Sequence, residues 1–294
     1  FKYIFLSGIL FEEMGFTYIG PLDGHDINEL ITNFRNADLI EGPVLIHVNT
    51  RKGKGYIPAE KQPAKFHGVS PFILGNGLSK KEEKKPHFSQ IFGETMVRMA
   101  AKDEDILGIT AAMPEGTCLN LLRDAYPERF FDVGIAEQHA VTLASGMAKA
   151  GKKPVVAIYS SFLQRAYDQI IHDVCIPELP VTFAIDRAGI VGGDGETHQG
   201  IFDLSFLRII PNLIIMAPRD ENCLQHMLYT AVNSGKPAVV RYPRGEIIGI
   251  EMDEELKRLE PGKAELLREG EDLLILAVGS MVYPALEAAK LLEE

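Results

Sequence analysis

This sequence is poor in cysteine, has no long apolar run and is short of positive charge. Its three cysteines, Cys118, Cys175 and Cys223, are far apart and odd in number, which excludes a disulfide framework and reads as buried, reduced thiols in a cytosolic protein. No apolar run approaches the roughly 18–20 residues of a membrane span, and no secretory leader is visible. Lys and Arg number 30 against 41 Asp and Glu, a formal net charge of -11. That balance argues against a nucleic-acid surface, and a small anionic substrate would need local arginines to overcome the overall field. Ligand-like spacing is missing as well: His139, His172 and His198 form no metal motif, and Cys175 near His172 lacks a Cys-x-x-Cys pair, so zinc is not expected.

What is present is ordinary soluble composition, 46% hydrophobic and 24% charged over 294 residues, enough for more than one domain. Strand-like apolar runs at 44–48, 106–110, 129–133, 155–159, 181–185, 213–217, 238–241 and 273–278 alternate with helical patterns. The clearest of these are at 88–101, 136–150, 162–174, 221–231 and 281–292. The alternation predicts βαβ units, hence α/β domains with largely parallel sheets covered by helices on both faces. The pattern breaks into Gly, Pro and Lys between 51 and 85 and shifts again at 251–262. The expected division is the remainder of one α/β domain at 1–60, a linker at 61–86, a complete second domain at 87–250 and the start of a third at 251–294.

In open parallel sheets, ligands collect at the carboxyl ends of the strands. Glu137, Tyr159, Phe162, Arg187 and Arg244 all fall at or just past predicted strand ends, so one rim of the middle domain is expected to gather them. Glu137, in the run Asp132-Val133-Gly134-Ile135-Ala136-Glu137-Gln138-His139-Ala140, opens a helix. A reactive carboxylate is often held there, and a carboxylate that merely complements the helix dipole, worth about 0.3–1 kcal/mol, sits there too. Phe162 offers a flat platform for a heterocycle or packs helix against sheet; Arg165 belongs to the same site or to a solvated helix face. The Gly-rich loop 189–200 can approach a ligand closely and carries Asp194 and His198, an acid beside a proton-transfer residue, or it is a surface loop with an incidental histidine. Arg187 and Arg244 offer the paired planar donors that suit phosphate, whereas Arg241, within the strand, reads as structural. His67, in Lys65-Phe66-His67-Gly68-Val69, is a loop histidine.

These blocks, with Tyr18-Ile19-Gly20-Pro21-Leu22-Asp23-Gly24-His25, resemble the 1-deoxy-D-xylulose-5-phosphate synthase family, thiamine diphosphate enzymes related to the transketolases, over nearly the whole chain. The resemblance implies that 1–60 ends a diphosphate-binding domain, 87–250 is a pyrimidine-binding domain and 251–294 begins a transketolase C-terminal-like domain. It implies thiamine diphosphate as cofactor, with Glu137 on the pyrimidine ring nitrogen, Phe162 stacked on the ring, and Tyr159 and Arg165 in the same site. Asp194, His198 and His67 then serve substrate positioning and proton transfer, and Arg187 and Arg244 hold the phosphate of D-glyceraldehyde 3-phosphate. The implied reaction condenses pyruvate with that aldehyde, releasing CO₂, to give 1-deoxy-D-xylulose 5-phosphate, a precursor for isoprenoids, thiamine and pyridoxal. A cytoplasmic homodimer is implied, each active site lying between the first two domains of one chain.

The family also needs Mg²⁺, held by Gly-Asp-Gly with Asn-Asn downstream. Here Gly193-Asp194-Gly195 belongs to the substrate loop and has no such sequel, so it is a false match and the metal ligands are expected in a preceding segment. The chain opens on Phe1 and stops in a helical pattern, so it reads as a fragment, expected to bind cofactor poorly and to be inactive alone. Rival readings are another thiamine enzyme, such as a transketolase or a pyruvate dehydrogenase component, and a non-catalytic binding module.

Overall fold

The computed structural model describes residues 8–63, 65–69, 71–79 and 85–293; Phe1 and the charged run from Lys80 lie outside them. The chain divides into two units, Phe1–Glu83 and Lys84–Glu294. In the first, α1 (Ile9–Glu13), β1 (Thr17–Asp23), α2 (Ile27–Ala37) and β2 (Val44–Asn49) follow one another. β1 and β2 pair in parallel, Thr17 opposite Val44, so α2 is their crossover. Asp26 starts that helix by accepting from the N–H groups of Asn28 and Glu29 at 2.9 and 3.0 Å, which satisfies donors that no helical carbonyl reaches.

The segment expected as a linker carries local structure of its own. It continues from α3 (Ile57–Lys61) into an antiparallel hairpin of β3 (Phe72–Ile73) and β4 (Leu78–Ser79). Tyr56, Phe66 and Phe72 pack their rings at centroid distances of 5.2 to 5.8 Å, a small aromatic centre that gives the short hairpin something to fold on.

The second unit runs α4 (Phe88–Ala100), β5 (Ile106–Thr110), α5 (Asn120–Ala125), β6 (Phe130–Asp132), α6 (Glu137–Lys149), β7 (Lys153–Tyr159), α7 (Ser160–Leu163), α8 (Tyr167–Gln169), β8 (Thr182–Asp186), α9 (Asp203–Leu207), β9 (Ile214–Met216), α10 (Glu221–Val232), β10 (Ala238–Arg241) and α11 (Val282–Leu291). Its sheet has the order β6-β5-β7-β8-β10-β9, with every pair parallel. The expected α/β class is therefore what the chain adopts. Strand residues alternate between two apolar layers, as a sheet covered on both faces requires. Val156 and Ile158 of β7 pack with Ala140, Val141 and Ala144 of α6. Val155 and Ala157 pack with Phe92 and Met96 of α4 and Leu224 and Leu228 of α10.

Two expected elements differ. The pattern at 162–174 is not one helix but α7, a 3₁₀ turn Gln164–Ala166, α8 and a π-helical stretch Ile170–Cys175. Ala166 leaves helical geometry at φ -109°, ψ 18°, and the wider π turn brings Ile170, Val174 and Cys175 together onto the buried face. The run 273–278 forms no strand. No strand pairs with it among the described residues, so its ladder groups gain nothing from an extended register, and Leu273, Leu274 and Leu276 stay exposed. The cysteines need a correction too: all three are free, but only Cys175 is buried, Cys118 and Cys223 being half-buried. Burial pushes the Cys175 thiol up to about 11. No described helix is long and apolar enough to cross a membrane.

Candidate active site

Because every pair in the larger sheet is parallel, the carboxyl ends of β5, β7, β8 and β10 share one edge. From β5 the chain runs to β6 on one side, then across to β7 and on to β8 on the other. That reversal opens the kind of crevice in which such sheets bind ligands.

Glu137 is the first residue of α6 and only 2% exposed, while its neighbours Gln138 and His139 face solvent. Its Oε2 lies 3.6 Å from Nη1 of Arg165, a residue with most of its side chain in solvent. A carboxylate at this point also meets the positive end of the helix dipole. Across the rim, Tyr159 ends β7 and Phe162 lies in α7, their rings stacked at 5.7 Å and 22°. His198 meets Phe162 edge-on at 5.1 Å and lies 6.2 Å from Tyr159. Burial pushes the Tyr159 hydroxyl above its ordinary range.

Arg187 follows β8 with φ 58°, a left-handed conformation that costs a non-glycine residue of order 1–3 kcal/mol and persists where surrounding contacts hold it. Asp186, fully buried, supplies that hold: Oδ1 accepts the Arg187 backbone N–H at 2.7 Å and Oδ2 lies 2.7 Å from Nη1. Burial pushes the Asp186 carboxyl up, and the adjoining guanidinium pulls against it. The Arg187 guanidinium lies over the Tyr159 ring, 4.2 Å from its centroid. Asp194 comes between the two expected phosphate ligands, with Oδ1 2.5 Å from Nη1 of Arg244 and Oδ2 3.6 Å from Nε of Arg187. Glu137, Arg165, Tyr159, Phe162, Arg187, Asp194, His198 and Arg244 are thus brought to one rim. His67 belongs to the first unit, where Nδ1 lies 2.7 Å from Nζ of Lys52. Arg241 pairs with the buried Asp203 at 2.7 Å.

Sequence reasoning passed over the residues that build this rim from behind. Gln199 pins the loop: Oε1 accepts from the Val191 N–H at 2.8 Å, and Nε2 donates to the carbonyls of Val191 and Gly195 at 2.7 and 3.0 Å. Gly189 and Gly200 close the same loop through paired backbone bonds. A Cβ on Gly200 would overlap the Arg187 carbonyl and Ser160, and one on Gly116 would overlap the Tyr159 hydroxyl. The spacing of these residues carries no signal, since each matters through a contact across the fold. The described residues contain no cluster of three or more His, Cys, Asp or Glu able to hold a metal.

Residues 84–248 match the family "Transketolase, pyrimidine binding domain". Residues 1–50 match "1-deoxy-D-xylulose-5-phosphate synthase", and residues 262–294 match "Transketolase, C-terminal domain". The chain is 69% identical to the 1-deoxy-D-xylulose-5-phosphate synthase of Halothermothrix orenii and 58% identical to that of Desulforudis audaxviator. It is covered completely in both alignments but spans only 46% of each relative. Among solved structures, a split gene transketolase described as an inactive beta4 tetramer superposes with a TM-score of 0.64 at 32% identity, over 71% of this chain and 68% of that one. Transketolase from Campylobacter jejuni has the same fold, at a TM-score of 0.62 and 21% identity, over 97% of this chain and 55% of that one. The chain belongs to the transketolase family, through its pyrimidine-binding domain, and is similar along its whole length to 1-deoxy-D-xylulose-5-phosphate synthases.

Proposed function

We propose that this chain carries the pyrimidine side and the acceptor side of a thiamine diphosphate active site. In the whole protein, that site condenses pyruvate with D-glyceraldehyde 3-phosphate, with loss of CO₂, to give 1-deoxy-D-xylulose 5-phosphate. The observation that carries this reading is the joining, on one rim, of a buried carboxylate and a stacked aromatic pair with two arginines drawn to a single carboxylate.

The residues present fit the cofactor. A flat heterocycle with a basic ring nitrogen needs a buried acceptor and an aromatic platform, which Glu137 and Phe162 supply, with Tyr159 and Arg165 beside them. When bound, thiamine diphosphate supplies the electron sink for decarboxylation and the nucleophilic carbon for addition to an aldehyde. The protein's share is orientation and charge. Glu137 holds the pyrimidine, Arg187 and Arg244 hold the acceptor's phosphate, and His198, with Asp194 in the same loop, moves protons at the substrate oxygens, the role proposed for His67 as well. Mg²⁺ would serve the cofactor's diphosphate from ligands outside this chain. The reading extends to a cytoplasmic homodimer serving isoprenoid and thiamine precursors, with diphosphate-domain residues at 1–60, a linker at 61–86, the pyrimidine domain at 87–250 and a third domain from 251. By itself the chain is expected to be inactive; the inactive tetramer of a split gene transketolase is a parallel.

Product analysis tests the reaction class. The purified chain is mixed with a separately produced polypeptide that carries the metal- and diphosphate-binding half, then given thiamine diphosphate, Mg²⁺ and D-glyceraldehyde 3-phosphate. With pyruvate as donor, 1-deoxy-D-xylulose 5-phosphate is expected by NMR. Turnover with a ketose phosphate donor and none with pyruvate would place the chain among the transketolases proper.

A further inference from the structure

The surroundings of Arg187 fix which of its atoms a ligand can reach. Nη1 carries two N–H bonds, donated to the Gly116 carbonyl at 2.7 Å and to Oγ of Ser89 at 3.1 Å, and it lies 2.7 Å from Oδ2 of Asp186 as an ion pair. No proton on that nitrogen is left for a ligand. Nε, by contrast, is buried and makes no hydrogen bond. It faces Oδ2 of Asp194 at 3.6 Å, beyond hydrogen-bonding range.

Besides the Gly116 carbonyl, the grip on Nη1 comes from two elements. Asp186, at the end of β8 with no exposure, holds both the backbone N–H and the guanidinium of Arg187. Ser89, in the first turn of α4 and 5% exposed, accepts from Nη1 at 3.1 Å. The Tyr159 ring closes one face of the guanidinium plane, so rotation about its long axis is blocked as well.

We propose that Asp186 and Ser89 are positioning residues that fix Arg187 with its Nε–Nη2 edge turned to the substrate's phosphate. The assignment rests on the reading of Arg187 as a phosphate ligand. The Nε–Nη2 edge offers two parallel N–H bonds, which match two oxygens of a phosphate and lock its orientation as a single donor cannot. Turning the guanidinium so that Nη1 faced the ligand would strip a buried carboxylate of its partner, a loss that one new hydrogen bond to the ligand would not offset. The edge presented is therefore built into β8 and α4 rather than chosen when the ligand arrives.

Calorimetric titration of the purified chain with inorganic phosphate, comparing the parent with S89A, D186N and R187A, tests this. Phosphate affinity is expected to fall about tenfold in S89A, the scale of a lost hydrogen bond to a charged group, further in D186N, and completely in R187A. Should D186N fail to fold, S89A decides alone. In the complemented enzyme, S89A should lower kcat/KM for D-glyceraldehyde 3-phosphate far more than for unphosphorylated D-glyceraldehyde. A merely structural role would lower both equally. Parent-like phosphate binding in S89A, and in D186N if folded, with binding lost in R187A, overturns the positioning role and leaves the acceptor-site reading standing. Binding by none of the proteins, or equal binding by all, overturns that reading and the positioning role with it.

Discussion

Asp194 lies within ion-pair distance of both Arg187 and Arg244, so the loop that carries it shapes the surroundings of both arginines. Gln199 is the residue that holds it, with its amide spent entirely inside the loop. Replacing Gln199 with Ala leaves two loop carbonyls and one N–H without their partner, a loss of about 1–3 kcal/mol for the loop's closed form. The expected outcome is a large drop in turnover of the complemented enzyme with little change in the melting temperature of the chain, since the loop packs outside the two core layers. Parent-like activity in Gln199→Ala would remove the loop from the site. At this scale the sequence was legible where chemistry depends on residue type. Glu137, Arg187, Asp194, His198 and Arg244 stood out because few roles suit them, and all reach the rim. Gln199, Ser89 and Asp186 did not stand out, because a glutamine, a serine or a strand-end aspartate becomes informative only once its contacts are known.

Helix α10 shows the same division at the level of elements. Its apolar period, with Leu224, Leu228 and Ala231 all buried, was readable as a helix packed on a sheet. Its polar residues were not, because polar positions on a helix normally face water. Here they clasp the segment that follows β10. Glu221 accepts from the N–H groups of Ile248, Gly249 and Ile250, His226 accepts from Lys257 N–H and Thr230 from Leu259 N–H. Asp253 answers from the segment itself: its carboxylate is held down to about 2 by hydrogen bonds from Lys257, His226 and Asn222. A carboxylate depressed in the folded state contributes stability that is present above its unfolded pKa and disappears as pH falls through its folded one. The stability gap between the parent and Asp253→Asn should therefore be constant above about pH 5, narrow from about pH 4 downward and close near pH 2. Urea midpoints followed across that range check it, and a gap of constant size down to the lowest pH would show that the ionised carboxylate is not what the clasp uses. The broken helix at 162–174 and the unpaired run at 273–278 mark the opposite limit. Local period pointed to one helix and one strand, and packing in the first case and the lack of a partner strand in the second overturned both.

For the whole molecule, the parallel sheet and its two helical layers followed from the alternation of apolar runs, and the sheet order did not, since no local pattern states which strand lies beside which. The order matters because the reversal between β5 and β7 lets residues more than a hundred positions apart in sequence, from Glu137 to Arg244, share one edge. The proposed function asks for more than a binding module would: a module could keep the arginines for an anion, yet would have no use for a buried carboxylate on the same rim as a stacked aromatic pair. Glu137 is thus where the account is most exposed. The most direct test is product formation from pyruvate and D-glyceraldehyde 3-phosphate by the chain complemented with its metal-binding half, parent against Glu137→Gln, a change that keeps the side chain's size and removes its charge. A fall of about 100-fold or more is expected, on the scale of a lost proton-transfer partner, with phosphate binding unchanged. A Glu137→Gln chain as active as the parent would contradict it.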